Sequence, residues 1–337
     1  MAYNIVAMAS FDNYASADLP DFFSQQCNSS IDSTNTPFNS GRSCNVVSGT
    51  VRALPATTTK LGITCYCNLR SGIGNGGLIL YGYDGATRQT QIQFNNAGCA
   101  EIYRGDGTLL ATSTKQVVFP FVWHHIEAKF TCTTSSSAND CQVWVDGVLA
   151  VSLGSSLSTR NTSNTQYTAF GIGSNVGGTS LDDLIVYDWS SGSAPPMGFN
   201  RVYSLSPSGN GTTNNFLGSD ADSTNNYLLV NSVPFNTATY TGSSNPGDLD
   251  LYAMANLPTT PTITAVQVNN LMEKTDAGAR VGRNVIRSGT TNYTGADCTL
   301  TPSYQQFFDV YLTDPDTTST WTASGVNAIE AGVKVQS

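Results

Sequence analysis

Residues Gln142-Val-Trp-Val-Asp-Gly-Val-Leu-Ala-Val-Ser-Leu153 decide the fold class. Two short runs flank Asp146-Gly147, the first, Gln142-Val-Trp-Val145, with polar and apolar residues alternating. Asp-Gly supplies the positive φ angles that a two-residue hairpin requires, and a period of two buries one face of a strand and wets the other. The same device recurs upstream. Leu78-Ile-Leu-Tyr-Gly-Tyr83 runs into Asp84-Gly85, and Glu101-Ile-Tyr-Arg104 turns at Gly105-Asp106-Gly107 and leaves through Thr108-Leu-Leu-Ala-Thr112. Three hairpins so close together predict an antiparallel β-sandwich.

Composition agrees. Charged residues make up 12% of the 337 residues, about half the usual share. Glutamate occurs only at positions 101, 127, 273 and 330. Long helices clothe their wet faces with Glu, Lys and Ala, so the expected class is all-β. The formal net charge of −9 disfavours nucleic acid, which needs a basic face. No apolar run of 18 residues predicts a membrane-spanning helix. The first ten residues lack a basic stretch, and no secretion signal is expected there.

After Trp189 the composition shifts. Ser190-Ser-Gly-Ser-Ala-Pro-Pro-Met197 reads as a linker, dividing the chain into 1–190, a linker at 191–198 and a second β-sandwich unit at 199–337. In the second unit, strands are expected at 199–205, 250–255, 262–268, 279–287, 304–312 and 333–336. The polar stretch 208–226 reads as a long loop. One short helix is expected from Ala323 to Ala331, capped by Thr322.

The candidate chemistry is sparse. Two carboxylates held about 5 Å apart would mark a retaining glycosidase, but no E-x-D-x-x-E run occurs and Glu127 has no partner carboxylate nearby in sequence. His124 and His125 are the only histidines. As neighbours on a strand they point to opposite faces, so they cannot share a metal ion. No Gly-x-Ser-x-Gly elbow is present. The expected protein is therefore not an enzyme. Near the hairpin turns, Tyr81, Tyr83, Tyr103 and Trp189 are candidates for stacking a sugar ring. Eight cysteines lie in the chain, seven of them in the first half. Cys132 and Cys141, at the ends of two hairpin strands, are the first disulfide candidates; Cys27 and Cys44 are the second. Asp182-Asp183 is a candidate contributor to a calcium site, because hard cations prefer clustered oxygens.

Three segments of the first half carry a resemblance. Trp123-His-His-Ile-Glu127, Val143-Trp-Val-Asp-Gly147 and Leu181-Asp-Asp-Leu-Ile-Val186 resemble, in order and spacing, strands of LamG-type concanavalin A-like lectin domains. Gly247-Asp-Leu-Asp-Leu-Tyr-Ala-Met-Ala-Asn-Leu-Pro258 and Thr313-Asp-Pro-Asp-Thr-Thr-Ser-Thr-Trp-Thr322 resemble the region beside such domains in tailed-bacteriophage proteins. The resemblance implies a jelly-roll-like pair of sandwiches and, at one rim of the first, calcium. It implies a virion surface protein: a head or neck decoration, or a tail or baseplate-fibre component. Its partners would be capsid, neck or tail proteins, further copies of itself and host surface glycan. Such a protein is assembled in the host cytoplasm and exposed after lysis. A receptor- or polysaccharide-binding adhesin is the alternative reading, and a glycan-active hydrolase a third.

Overall fold

The structure is a computed structural model, and it describes residues 3–12, 30–38, 41–46, 50–70, 77–137, 140–175, 178–191 and 195–337. The chain divides into two compact units, 1–202 and 203–337. Strands dominate both.

The first unit is a sandwich of two antiparallel sheets. One sheet runs β12 (Val148–Ser152), β11 (Gln142–Val145), β10 (Trp123–Thr131), β5 (Lys60–Leu69), β14 (Thr179–Asp188), β3 (Ser43–Val46) and β2 (Ser30–Asp32), and β1 (Asn4–Ala9) also pairs with β14, giving eight strands. The other has six: β4 (Thr50–Thr58), β13 (Tyr167–Gly173), β6 (Ile79–Asp84), β7 (Thr87–Phe94), β8 (Ala100–Arg104) and β9 (Leu109–Thr112). All three expected hairpins form. At the β11–β12 turn Asp146 and Gly147 both take positive φ, 50° and 78°, the condition that an Asp-Gly turn meets.

Alternation sorts the side chains. Ile63, Cys65 and Cys67 of β5 and Ile126, Ala128 and Phe130 of β10 are buried in the interior. From the facing sheet come Leu80, Ile92, Ile102 and Phe170. Phe130 meets Tyr167 of the opposite sheet edge to face, with centroids 6.4 Å apart. Cys132 and Cys141 are both buried and both carry free thiols, so the expected disulfide is absent. Each sulfur is engaged separately: Cys141 Sγ accepts from Thr131 N (3.5 Å) and Cys132 Sγ lies 3.7 Å from Asn164 O. Burial pushes the two thiols up, to about 11 and about 12, which withholds the thiolate that oxidation needs. Cys44 is buried in β3; Cys27 lies outside the described residues.

The second unit holds a six-stranded sheet, ordered β15 (Pro207–Asn214), β18 (Leu249–Met254), β24 (Glu330–Val335), β20 (Val281–Ser288) and β21 (Thr291–Thr294), with β22 (Cys298–Thr299) also on β20. A hairpin of β19 (Val266–Met272) and β23 (Gln305–Tyr311) and a small pair, β16 (Leu217–Gly218) and β17 (Thr241–Gly242), complete its strands among the described residues. Its core gathers Val268, Ile286, Trp321, Val326, Ile329 and Ala331.

Several boundaries differ from expectation. The helix is α2 (Ala323–Val326), capped by Thr322, whose Oγ1 accepts from Gly325 N at 3.0 Å. It stops early because Glu330 onward is claimed by β24. A second helix, α1 (Tyr227–Val230), lies just beyond the stretch read as a loop, and part of that stretch is β15. Residues 199–205 are not a strand.

Candidate functional site

The outer face of the first unit's six-stranded sheet carries the candidate site. Register puts Tyr81 opposite Gln91 and Gln91 opposite Tyr103; Gln93 faces Glu101 on the next strand. These residues therefore share one face, across β6, β7 and β8. On the other flank, Tyr81 and Tyr83 pair with Gly171 and Ala169 of β13. Small residues there leave the tyrosine rings without tall neighbours on that side.

The polar groups form one chain of hydrogen bonds. Arg88 donates to Gln91 Oε1. Gln91 Nε2 donates to Gln93 Oε1 (2.7 Å), and Gln93 Nε2 to Glu101 Oε2 (3.2 Å). Glu101 also accepts from Asn95 Nδ2 (2.8 Å) and Tyr103 OH (2.6 Å). The Arg88 guanidinium lies over the Tyr81 ring at 5.1 Å, and the Tyr81 and Tyr83 rings are 5.6 Å apart. Burial and the bond to Glu101 raise the Tyr103 hydroxyl to about 12, so it remains a donor at neutral pH. The face thus offers amides, a hydroxyl and a carboxylate around aromatic rings. This is the donor and acceptor mixture that a polyhydroxylated ring satisfies.

Three of the four aromatic candidates come together here, and one does not. Tyr83 and Tyr103 are half-buried, and Tyr81 is 8% exposed, so it contributes an edge rather than an open stacking face. Trp189 is a correction. It is buried at the other sheet, its Nε1 donates to Leu61 O (3.1 Å), and its ring receives Lys60 and Lys129 Nζ at 4.6 and 4.3 Å. Sequence reasoning missed the amides Gln91, Gln93 and Asn95. The signal was present in Gln91-Ile-Gln93, where alternation places both glutamines on the outer side of the strand, Gln91 half-buried and Gln93 buried.

The aspartate pair lies elsewhere, in β14. Neighbours on a strand point apart, but here a bulge interrupts the pairing with β5 between Asp182 and Ile185, and Asp183 takes φ +49°. Asp tolerates that conformation better than most residues, and the bulge re-aims its carboxylate. Asp182 Oδ1 accepts from Asp183 N (2.8 Å). Asp183 Oδ1 accepts from Val202 N (2.8 Å), and its Oδ2 lies 3.7 Å from Arg201 Nε. Burial lifts Asp182 to about 9 and Asp183 to about 6. Calcium takes six to eight oxygens. No group of three or more His, Cys, Asp or Glu able to hold a metal occurs among the described residues. Arg201 already stands where a cation would, so the pair does not fit calcium.

The histidines point to opposite faces of β10, but both are buried, where one was expected to be exposed. His124 Nε2 accepts from Phe119 N (3.0 Å) and its Nδ1 pairs with Asp146 Oδ2 (2.7 Å). His125 Nε2 meets Thr64 Oγ1 at 2.8 Å, and burial lowers its pKa to about 4.

No known family profile matches the chain, and no curated protein matches it. Among solved structures it is similar to a carbohydrate-binding module from Bacillus subtilis: identity 9%, TM-score 0.32, 43% of this chain and 84% of that one. It is similar to domain 4 of an extracellular arabinanase from Geobacillus stearothermophilus, solved with arabinotriose: identity 15%, TM-score 0.34, coverage 55% and 93%. A protein of unknown function with a galectin-like fold from Bacillus subtilis gives 9%, 0.33, 55% and 98%. Likenesses this distant assign no ligand to this chain.

Proposed function

We propose that the first unit is a glycan-binding module whose site is the outer face of the six-stranded sheet. One observation carries this reading: the register that lines up Tyr81, Gln91 and Tyr103, with Gln93 and Glu101 beside them, across three neighbouring strands. The mechanism is binding without turnover. The hydrogen-bonded network holds a single carboxylate, Glu101, where glycoside hydrolysis needs two. Sugar hydroxyls replace the bonds that the side chains now make to one another, and Tyr83 and Tyr103 supply apolar contact.

The resemblance of 247–258 and 313–322 to phage proteins supports a finer proposal, that the chain displays this module on a tailed-phage particle as an adhesin or decoration. The test is binding of the full chain to host surface polysaccharide, with Tyr103→Ala and Gln91→Ala as variants. Saturable binding lost in both supports the site. Binding indifferent to both sinks it. Co-sedimentation of the chain with purified particles tests the display.

A further inference from the structure

Residues 195–202 lie along the outer face of the eight-stranded sheet in the first unit, and their anchors there include two buried carboxylates and two aromatic rings. Glu127 of β10 is 1% exposed. Its Oε1 accepts from Met197 N (2.7 Å) and its Oε2 from Gly198 N (3.0 Å), while Tyr187 OH donates to Oε1 at 2.6 Å. Tyr187 reaches Glu127 by lying across Gly62, where a Cβ would sit 2.1 Å from the ring. The Phe199 ring packs 4.9 Å from the His125 ring. Arg201 lies 3.7 Å from the Phe38 centroid and faces Asp183, which also takes Val202 N. Tyr3 OH donates to Pro195 O (2.5 Å).

This is a set of receptors matched to a short peptide. A carboxylate with two separate oxygens captures two consecutive backbone N–H groups. Two strands away, a re-aimed carboxylate captures one more N–H and a guanidinium. Between them lies a ring for an aromatic side chain. Gly198 (φ +77°) and Asn200, whose Nδ2 donates to Met197 O and Gly198 O (3.2 and 2.8 Å), bend the segment so that these groups come into step. Without a peptide, Glu127 keeps only the tyrosine among these donors, a costly state for a buried carboxylate.

We infer that this face is a peptide-recognition groove, filled in cis by residues 195–202 and able to take the same segment of a second copy of the chain in trans. The cis segment sets the apparent affinity for any competitor, because a groove already filled binds a second peptide weakly.

The experiment uses the full chain and a fluorescently labelled synthetic peptide of sequence Pro-Pro-Met-Gly-Phe-Asn-Arg-Val. Two variants weaken the cis segment without touching the groove: Phe199→Ala with Arg201→Ala, and Asn200→Ala alone. Circular dichroism and the melting temperature establish that each is folded, and the second serves if the first is not. The peptide is expected to bind either variant at least tenfold more tightly than it binds the parent chain, and adding Glu127→Gln to the variant is expected to abolish that gain. Peptide binding should also raise deuterium uptake across 195–202 in the parent chain. Equal affinity for parent and folded variant, no binding to the folded variant, or binding that survives Glu127→Gln would overturn the inference.

Discussion

On the outer face of the first unit's six-stranded sheet, Gln91, Gln93, Glu101 and Tyr103 bond to one another across 2 to 8 residues of sequence. On the outer face of the eight-stranded sheet, Glu127 and Asp183 bond to backbone 70 and 19 residues further along the chain. Both faces arise from the same alternation of side chains, and both present polar groups outward. They differ in what completes them. The first is satisfied by side chains that a hydroxyl-rich ligand can replace one by one. The second is satisfied by a strap of the chain itself, and removing that strap strands a buried charge. Self-bonded polar side chains on a sheet mark a surface available for exchange with ligand, whereas a carboxylate buried under backbone amides marks a surface already occupied.

The largest expected effect is on the covered face. Glu127→Ala leaves Tyr187 OH, Met197 N and Gly198 N without their acceptor, and at about 1–3 kcal/mol per orphaned donor the loss is about 3 kcal/mol or more in chemical denaturation. Gly62→Ala forces the Tyr187 ring aside and is expected to cost about 1–3 kcal/mol. Loss of stability from Glu127→Ala no larger than from a surface substitution would erase the contrast between the faces.

The pH dependence sharpens it next. Asp182 and Asp183 titrate above their unfolded values because burial, and after it nearby carboxylates (Asp183 and Asp12 for Asp182, Asp12 for Asp183), disfavour the ionised form. The folded chain therefore holds protons that the unfolded chain releases, and this pair's contribution falls as pH rises from about 4, through about 6, to about 9. Asp182→Asn is expected to raise the melting temperature at pH 8 and to change it little at pH 4. Little change at either pH would place the pair in solvent.

The smallest effects belong to the half-buried face and to the thiols. Gln91→Ala leaves the buried Gln93 Oε1 without its donor and is expected to cost about 1 kcal/mol while removing glycan binding. Alkylation of the unfolded chain without reductant is expected to label both Cys132 and Cys141; an unlabelled pair would restore the disulfide.

The hairpins were legible because their turn chemistry is local: Asp146-Gly147, Gly85 and Gly107 all take the positive φ that their positions imply. Three tyrosines of the candidate site were legible for the same reason, lying beside those turns. Trp189 misled because a turn-proximal aromatic is indistinguishable in sequence from one that folds back over Lys60 and Lys129. The strap was hidden by its composition. Pro195-Pro-Met-Gly reads as linker, and nothing local reports that Glu127 waits for its amides. Asp182-Asp183 resembled a cation site until the bulge at Asp183 turned the carboxylate toward Arg201 and Val202. In the second unit, Pro207–Asn214 escaped notice because its glycines and threonines show no alternation; β18 alone gives it strand form, through two register shifts.

The most direct test of the glycan-binding account is a titration of the full chain with a panel of oligosaccharides, read by calorimetry, beside Gln91→Ala and Tyr103→Ala chains shown by circular dichroism to be folded. The account predicts saturable binding by the parent chain, its loss in both variants, and oligosaccharide recovered at its original length. Binding that both variants retain, or oligosaccharide shortened during incubation, would contradict it.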